Sequence, residues 1–74
     1  MNSEFPIRSY GKSELALLYF PTATSKHTAV SHLMSWIRRC APLNDELYDN
    51  GYRPTNKLFS AREVRLITQY LGDP

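Results

Sequence analysis

The residues of this sequence that are best suited to chemistry are basic and short polar side chains. Arg53 and Lys57 flank a turn that contains Pro54, and Arg39 ends a polar helix face. Guanidinium and ammonium groups neutralise phosphates, while hydroxyl and imidazole groups on a helix can approach base edges. We predict DNA contacts at Thr28, Ser31, His32, Ser35, Arg39, Arg53, Lys57 and Arg62.

These residues also have a purely structural interpretation, as a solvated helix face and an ordinary charged turn. The net charge is only +2, but no acidic residue occurs between Glu14 and Asp45. The polar face offers a single arginine and neither Asn nor Gln, which are the side chains that discriminate bases best. Both interpretations stay open at the level of the sequence.

Other chemistries lack the residues that they need. His27 and His32 are five apart, so on a helix they diverge by roughly 140° and cannot bind one metal ion from one face. There is no HExxH motif, Gly-rich phosphate loop or nucleophile elbow, and no carboxylate pair within a pocket-forming element. We therefore expect no enzymatic activity, no metal, no cofactor and no small-molecule substrate.

The compartment is expected to be the cytoplasm. Cys40 is the one cysteine, which excludes an internal disulfide and fits a reducing environment. We find no leader pattern, and the longest apolar run, residues 15–20, is too short to span a bilayer. No membrane contact is predicted.

Periodicity and capping signals predict four helices. The first covers roughly residues 12–20, and the second, which would carry the DNA-contacting face, covers residues 26–40. A short third helix follows Pro42 and ends at Gly51, and the capping box "SARE" predicts a fourth over residues 61–71.

The second helix has the clearest buried stripe. Val30, Leu33, Met34 and Ile37 recur at i, i+3, i+4 and i+7, which is the spacing of one helix face. Trp36 lies on the flank of this stripe, and in so short a chain we expect its indole in the core.

The segment before the last helix predicts a hairpin. Tyr52 and Leu58 or Phe59 are expected to pair as short strands around the basic turn 53–57, where Pro54 favours a turn. The predicted fold class is therefore mainly α, a small domain of about four helices with a short β-hairpin wing. Its organisation is an extended arm over residues 1–10 and a single domain over residues 11–74.

Three apolar side chains predict a surface for self-association. Leu66 and Tyr70 widen the apolar arc of the last helix beyond what a small core needs, and Leu17 does the same on the first helix. A domain of this length has a marginal core, which burial against a second copy would stabilise. A homodimer is thus an expected partner arrangement.

Two stretches carry a family resemblance, "FPIRSYGKSELALLYFP" and "GYRPTNKLFSAREVRLITQYLGDP". The chain resembles the short Bacteroides-type proteins grouped as a domain of unknown function. More distantly, "KSELALLYFP" followed by "LFSAREVRLI" resembles the MerR-like and excisionase-like winged helix-turn-helix proteins. That second resemblance implies an opening helix, a wing and DNA binding, although the long dimerising helix of MerR regulators is absent.

The resulting functional prediction is a small non-enzymatic DNA-binding or accessory regulatory protein. It would bind double-stranded DNA with helix 26–40 and the basic turn 53–57. The alternative is a protein-interaction module or homodimeric scaffold that does not bind nucleic acid. RNA binding is disfavoured, because the sequence lacks the aromatic sheet platform that single-stranded recognition uses.

Overall fold

The computed structural model describes residues 5–74, within which four helices enclose one small core. The elements are β1 (Tyr10–Gly11), α1 (Lys12–Tyr19), α2 (Lys26–Arg39), α3 (Ala41–Asp49), β2 (Leu58–Phe59) and α4 (Ala61–Leu71). The predicted fold class, mainly helical with a short antiparallel strand pair, is confirmed. The first four residues of the predicted arm lie outside the described residues.

The strand pair joins distant parts of the chain. Phe59 pairs with Tyr10 and Leu58 with Gly11, so the partner of β2 precedes α1 and is not the segment around Tyr52 that we predicted. The predicted turn does form, since the N–H of Asn56 donates to the carbonyl of Arg53 at 2.9 Å. The basic turn therefore leads from the core into β2 without forming a local hairpin.

The end of α3 explains why Tyr52 is not a strand residue. The N–H groups of Gly51 and Tyr52 donate to the carbonyls of Tyr48 and Leu47 at 3.0 and 2.9 Å, which is a Schellman motif. Gly51 has φ of +93°, a left-handed conformation that favours glycine. This reversal directs Tyr52 into the core, where its side chain is fully buried.

The core draws on every element. Leu33 and Ile37 of α2 are fully buried as predicted, whereas Val30 and Met34 are partly buried and Ala29 completes the innermost stripe. The other fully buried apolar residues are Leu15, Ala16, Leu43, Leu47, Tyr52, Phe59, Val64 and Ile67. Burial of these side chains is the main source of stability.

The prediction that Trp36 belongs to the core is wrong, because 41% of this residue is exposed. Trp36 lies about 60° around the helix from Leu33, at the edge of the buried stripe. Ala29, the smallest side chain of the stripe, lies on that side of Leu33 as well, and a side chain of this size permits a close approach of a neighbouring element. We infer that such a close approach leaves no volume for an indole.

Capping residues start the helices where the sequence indicates. The Ser60 hydroxyl accepts from the N–H of Glu63 at 3.2 Å, and the Glu63 carboxylate accepts from the N–H of Ser60 at 2.9 Å, which confirms the predicted capping box. At α1 the Glu14 carboxylate accepts from the N–H of Gly11 at 3.2 Å. That hydrogen bond, followed by one from Arg8, lowers the pKa of Glu14.

Candidate nucleic-acid interface

Tyr52 anchors the surface that carries the basic turn. Its ring stacks on Phe59, with centroids 5.4 Å apart, and its hydroxyl donates to the sulfur of Met34 at 3.5 Å. Burial is the main cause that raises the pKa of Tyr52 to about 12, and Tyr48 and Glu63 act in the same direction while Arg38 opposes them. These contacts fix the segment after α3 against α2.

Cations from three parts of the chain surround this tyrosine. The Lys12 ammonium donates to the carbonyl of Pro54 at 2.9 Å and lies 5.1 Å from the centroid of the Tyr52 ring. Partial burial lowers the pKa of Lys12, and the Glu63 carboxylate opposes that shift. Arg38 lies within electrostatic reach of the Tyr52 hydroxyl. We call Lys12, Arg38, Tyr48 and Arg53 the cationic flank.

Arg53 is held in place but retains free donors. Its Nη1 atom donates to the carbonyls of Tyr52 and Tyr48 at 2.7 and 3.4 Å, and its guanidinium lies 5.7 Å from the centroid of the Tyr48 ring. Within residues 5–74 its Nε and Nη2 atoms have no hydrogen-bond partner. The geometry thus presents part of a positioned guanidinium, which suits a phosphate.

Two further predicted cations lie close to this region. Arg62 donates from Nη1 to the Asn50 side-chain oxygen at 3.4 Å, so it lies beside the C-terminal end of α3, as Arg53 does. The backbone carbonyl of Lys57 accepts from the N–H of Lys12 at 2.9 Å. The exposed Lys57 side chain lines a shallow groove of about 460 Å³ beside β2.

The predicted polar face of α2 divides into two flanks. Successive helix residues are rotated by about 100°, so His32 and Met34 lie roughly 160° apart. Met34 contacts Tyr52, whereas the His32 ring lies 5.4 Å from the ring of Phe20. By the same rotation Ser31 lies on the side of Arg38, Thr28 and Arg39 lie towards His32, and Ser35 lies midway between Arg38 and His32.

Thr28 has a local role at the start of α2. Its backbone N–H donates to the Ser25 hydroxyl at 3.1 Å, which caps the helix, and the two hydroxyl oxygens are 3.0 Å apart. The remaining predicted polar residues of α2 make no side-chain hydrogen bond within residues 5–74. The structure therefore brings Arg53 near Arg62 and Lys12, and it places Arg39 on another side of α2.

A second surface, which we call the aromatic flank, consists of Phe20, His32, Trp36 and Arg39. The Phe20 and Trp36 rings have centroids 4.8 Å apart and are nearly perpendicular, with an interplanar angle of 73°. His32 and Arg39 are exposed and lie within about 60° of Trp36 around α2. This flank combines exposed aromatic and basic side chains.

The residues predicted for self-association already make contacts within the chain. Leu17 and Leu66 are partly buried and pack against the core. Tyr70 is 40% exposed, and its hydroxyl donates to the Glu46 carboxylate, a hydrogen bond that raises the pKa of Tyr70. Larger exposed fractions occur at Leu18, Leu58 and Tyr48, which are 44%, 61% and 43% exposed.

Few charges are paired on this molecule. Within residues 5–74 the one ion pair joins Arg8 to Glu14 at 3.2 Å, so the cations of both flanks lack a carboxylate partner there. The same part of the chain contains no group of three or more His, Cys, Asp or Glu residues placed to hold a metal ion. It also contains no helix long and apolar enough to cross a membrane.

The sequence reasoning missed Lys12 and undervalued Arg38 and Tyr48. Lys12 is a first-turn residue of α1 and is 42 residues away from its partner Pro54, so no local pattern indicates their contact. Arg38 and Arg39 are adjacent in the sequence, and only the rotation of α2 about its axis decides which of them lies near Tyr52. The spacing of four between Tyr48 and Tyr52, across the glycine that ends α3, is the one signal that predicts neighbouring rings.

Fold and site together define a small helical domain with one cationic and one aromatic surface, and α2 contributes residues to both. The chain belongs to the family described as a domain of unknown function (DUF4248), whose model matches residues 6–74. This membership confirms the resemblance to a domain-of-unknown-function family, while the winged-helix resemblance stays a prediction. No match was found among the curated proteins or among the solved structures.

Proposed function

We propose that the chain is a non-enzymatic DNA-binding accessory protein that contacts the phosphates of double-stranded DNA with its cationic flank. The observation that carries the proposal is the convergence of Lys12, Arg38 and Arg53 around the buried Tyr52. These side chains come from α1, α2 and the turn before β2, and no carboxylate within residues 5–74 forms a salt bridge with them, although the Glu63 carboxylate acts electrostatically on Lys12.

Physical chemistry favours phosphate as the ligand of such a surface. Unpaired surface cations repel one another, and an array of phosphates relieves that repulsion while releasing condensed counterions. Arg53 has its guanidinium oriented by two backbone carbonyls, so little side-chain entropy is lost when it binds. Ser31 lies beside Arg38 on α2 and is exposed, which leaves a short polar side chain available for the groove.

Under this proposal, the sequence specificity of DNA binding is weak. The side chains of the cationic flank are lysine, arginine and tyrosine, which position a protein on the DNA backbone. Neither Asn nor Gln lies on α2 to form bidentate contacts with adenine. We therefore expect affinity to depend on salt much more than on base sequence.

Charge reversal tests the proposal. Arg38→Glu and Arg53→Glu are compared with Arg65→Glu, which makes the same charge change at an exposed residue of α4 outside the cationic flank. Fluorescence anisotropy with a labelled duplex at low salt should show a loss of about tenfold for each flank variant, since each loses a phosphate contact and gains a repulsion. Equal losses in all three variants, or no binding by the wild type, would refute the proposal.

A protein-interaction module is the second candidate, favoured by the exposed apolar side chains. Leu58 is 61% exposed beside the groove at β2, and Tyr70 of the predicted self-association set is 40% exposed. Burying such residues against a second copy would add stability to a small core. Light scattering over a range of concentrations should then show a dimer, and a monomer at every concentration would exclude self-association.

A further inference from the structure

We propose that Trp36 stacks on an unpaired base of the bound DNA, with Arg39 on an adjacent phosphate. The inference rests on the proposed function and names the DNA structure that the protein prefers. The DNA structure that the protein prefers is a duplex with a single-stranded extension, and a fully paired duplex is the less preferred one. The inference is based on the aromatic flank, which is not needed for contact with the phosphates of the duplex.

The indole of Trp36 is available for stacking. It is 41% exposed, and its aromatic neighbour Phe20 is nearly perpendicular to it at 73°. A perpendicular ring overlaps its neighbour less than a parallel ring does, and part of the indole stays exposed beside Phe20. The exposed part of the indole is open to a base, and every base offers a π face for such a contact.

The charge around Trp36 fits a phosphate chain. Residues 15–44 contain no carboxylate, so α1 from Leu15 onward, the connection and all of α2 are neutral or basic. Arg39 lies one turn beyond Trp36 on the same side of α2, and His32 lies one turn before it. An exposed aromatic ring between basic side chains is the combination that single-stranded nucleic-acid sites use.

The position of the aromatic flank connects it to the cationic flank. Each flank includes residues of α2, Arg38 in one and Trp36 in the other, and a helix with its side chains is about 10–12 Å across. If a duplex is bound at Arg38 and Arg53 and one of its strands continues unpaired across α2, the unpaired bases of that strand come within reach of Trp36. A fully paired duplex keeps its bases stacked, so its bases cannot reach the indole.

Tryptophan fluorescence tests the inference directly, because Trp36 is the one tryptophan of the chain. The protein is titrated with a fully paired duplex and with the same duplex carrying a short single-stranded extension. We expect emission to be quenched strongly by the extended DNA and little by the paired duplex. Anisotropy should show that Trp36→Ala weakens binding of the extended DNA about tenfold and leaves paired duplex unchanged.

Two controls separate the possible results. Trp36→Phe retains an aromatic face and should recover most of the affinity for extended DNA, and circular dichroism confirms that both variants are folded. Binding of both DNAs without any change in Trp36 emission would overturn this inference and leave the proposed function intact. If the protein binds neither DNA, both this inference and the proposed function are overturned. A concentration-dependent shift of Trp36 emission without DNA would overturn this inference and assign the aromatic flank to contact with a second copy of the chain.

Discussion

The cationic flank and the aromatic flank both include residues of α2, but the two surfaces differ in origin. The cationic flank joins side chains that are far apart in sequence, such as Lys12 and Arg53, and it depends on the burial of Tyr52 between them. The aromatic flank joins Phe20 to the neighbouring helix across one short connection. The first surface is thus a product of the whole fold, whereas the second needs only the packing of α1 on α2.

A large effect should come from the residue at the centre of the buried stripe of α2. Leu33 is fully buried at the centre of α2, so Leu33→Ala should reduce the free energy of unfolding by about 2–5 kcal/mol through lost burial and a cavity. Urea unfolding followed by Trp36 fluorescence and by circular dichroism measures it. Leu18→Ala is the control, with a loss below about 1 kcal/mol at a side chain that is 44% exposed. Similar losses in the two variants would contradict the described core.

The difference between two ring deletions should separate the flanks from each other. Tyr52→Ala removes a fully buried ring and should cost about 3–5 kcal/mol of unfolding free energy, whereas Trp36→Ala should cost roughly 1–2 kcal/mol because the indole is 41% exposed. Chemical denaturation of both variants provides the comparison. If Trp36→Ala were the more destabilising change, the aromatic flank would be part of the core and unavailable to a ligand.

The smallest effect appears only in alkaline solution. Tyr52 and Tyr19 each have a pKa raised to about 12, mainly by burial, from an ordinary value of 10.0. The neutral phenols therefore stabilise the fold fully below pH 10, and this contribution is lost as the pH rises from 10 to about 12. Thermal unfolding across this range should show a steeper decline in the wild type than in Tyr52→Phe. Identical declines would place Tyr52 in contact with solvent.

Local signals predicted most of the fold. The capping box at Ser60 defined α4 to the residue, and the spacing of Leu33 and Ile37 identified the buried side of α2. Each of these features depends on residues within one turn or two of each other. The predicted hairpin was based on local turn chemistry as well. The chain reverses at Gly51, however, so that Tyr52 is buried in the core and β2 pairs with β1.

The candidate site was less predictable, because it depends on which residues the fold brings together. Arg53 and Lys57 were identified from the sequence, while Lys12 entered only through its contact with Pro54. The choice between Arg38 and Arg39 follows from the rotation of α2, which places Met34 against Tyr52. The rotation of a helix about its axis is set by side-chain packing, and no pattern of polar residues determines it.

The salt dependence of duplex binding tests the central claim most directly. Anisotropy titrations at several salt concentrations are compared for the wild type and Arg53→Gln. With three phosphate contacts, log K should fall linearly with log salt with a slope of about −3, and the slope should be shallower by about 1 in the variant. Binding that is independent of salt, or an identical slope in the two proteins, would contradict the assignment of the cationic flank to DNA phosphates.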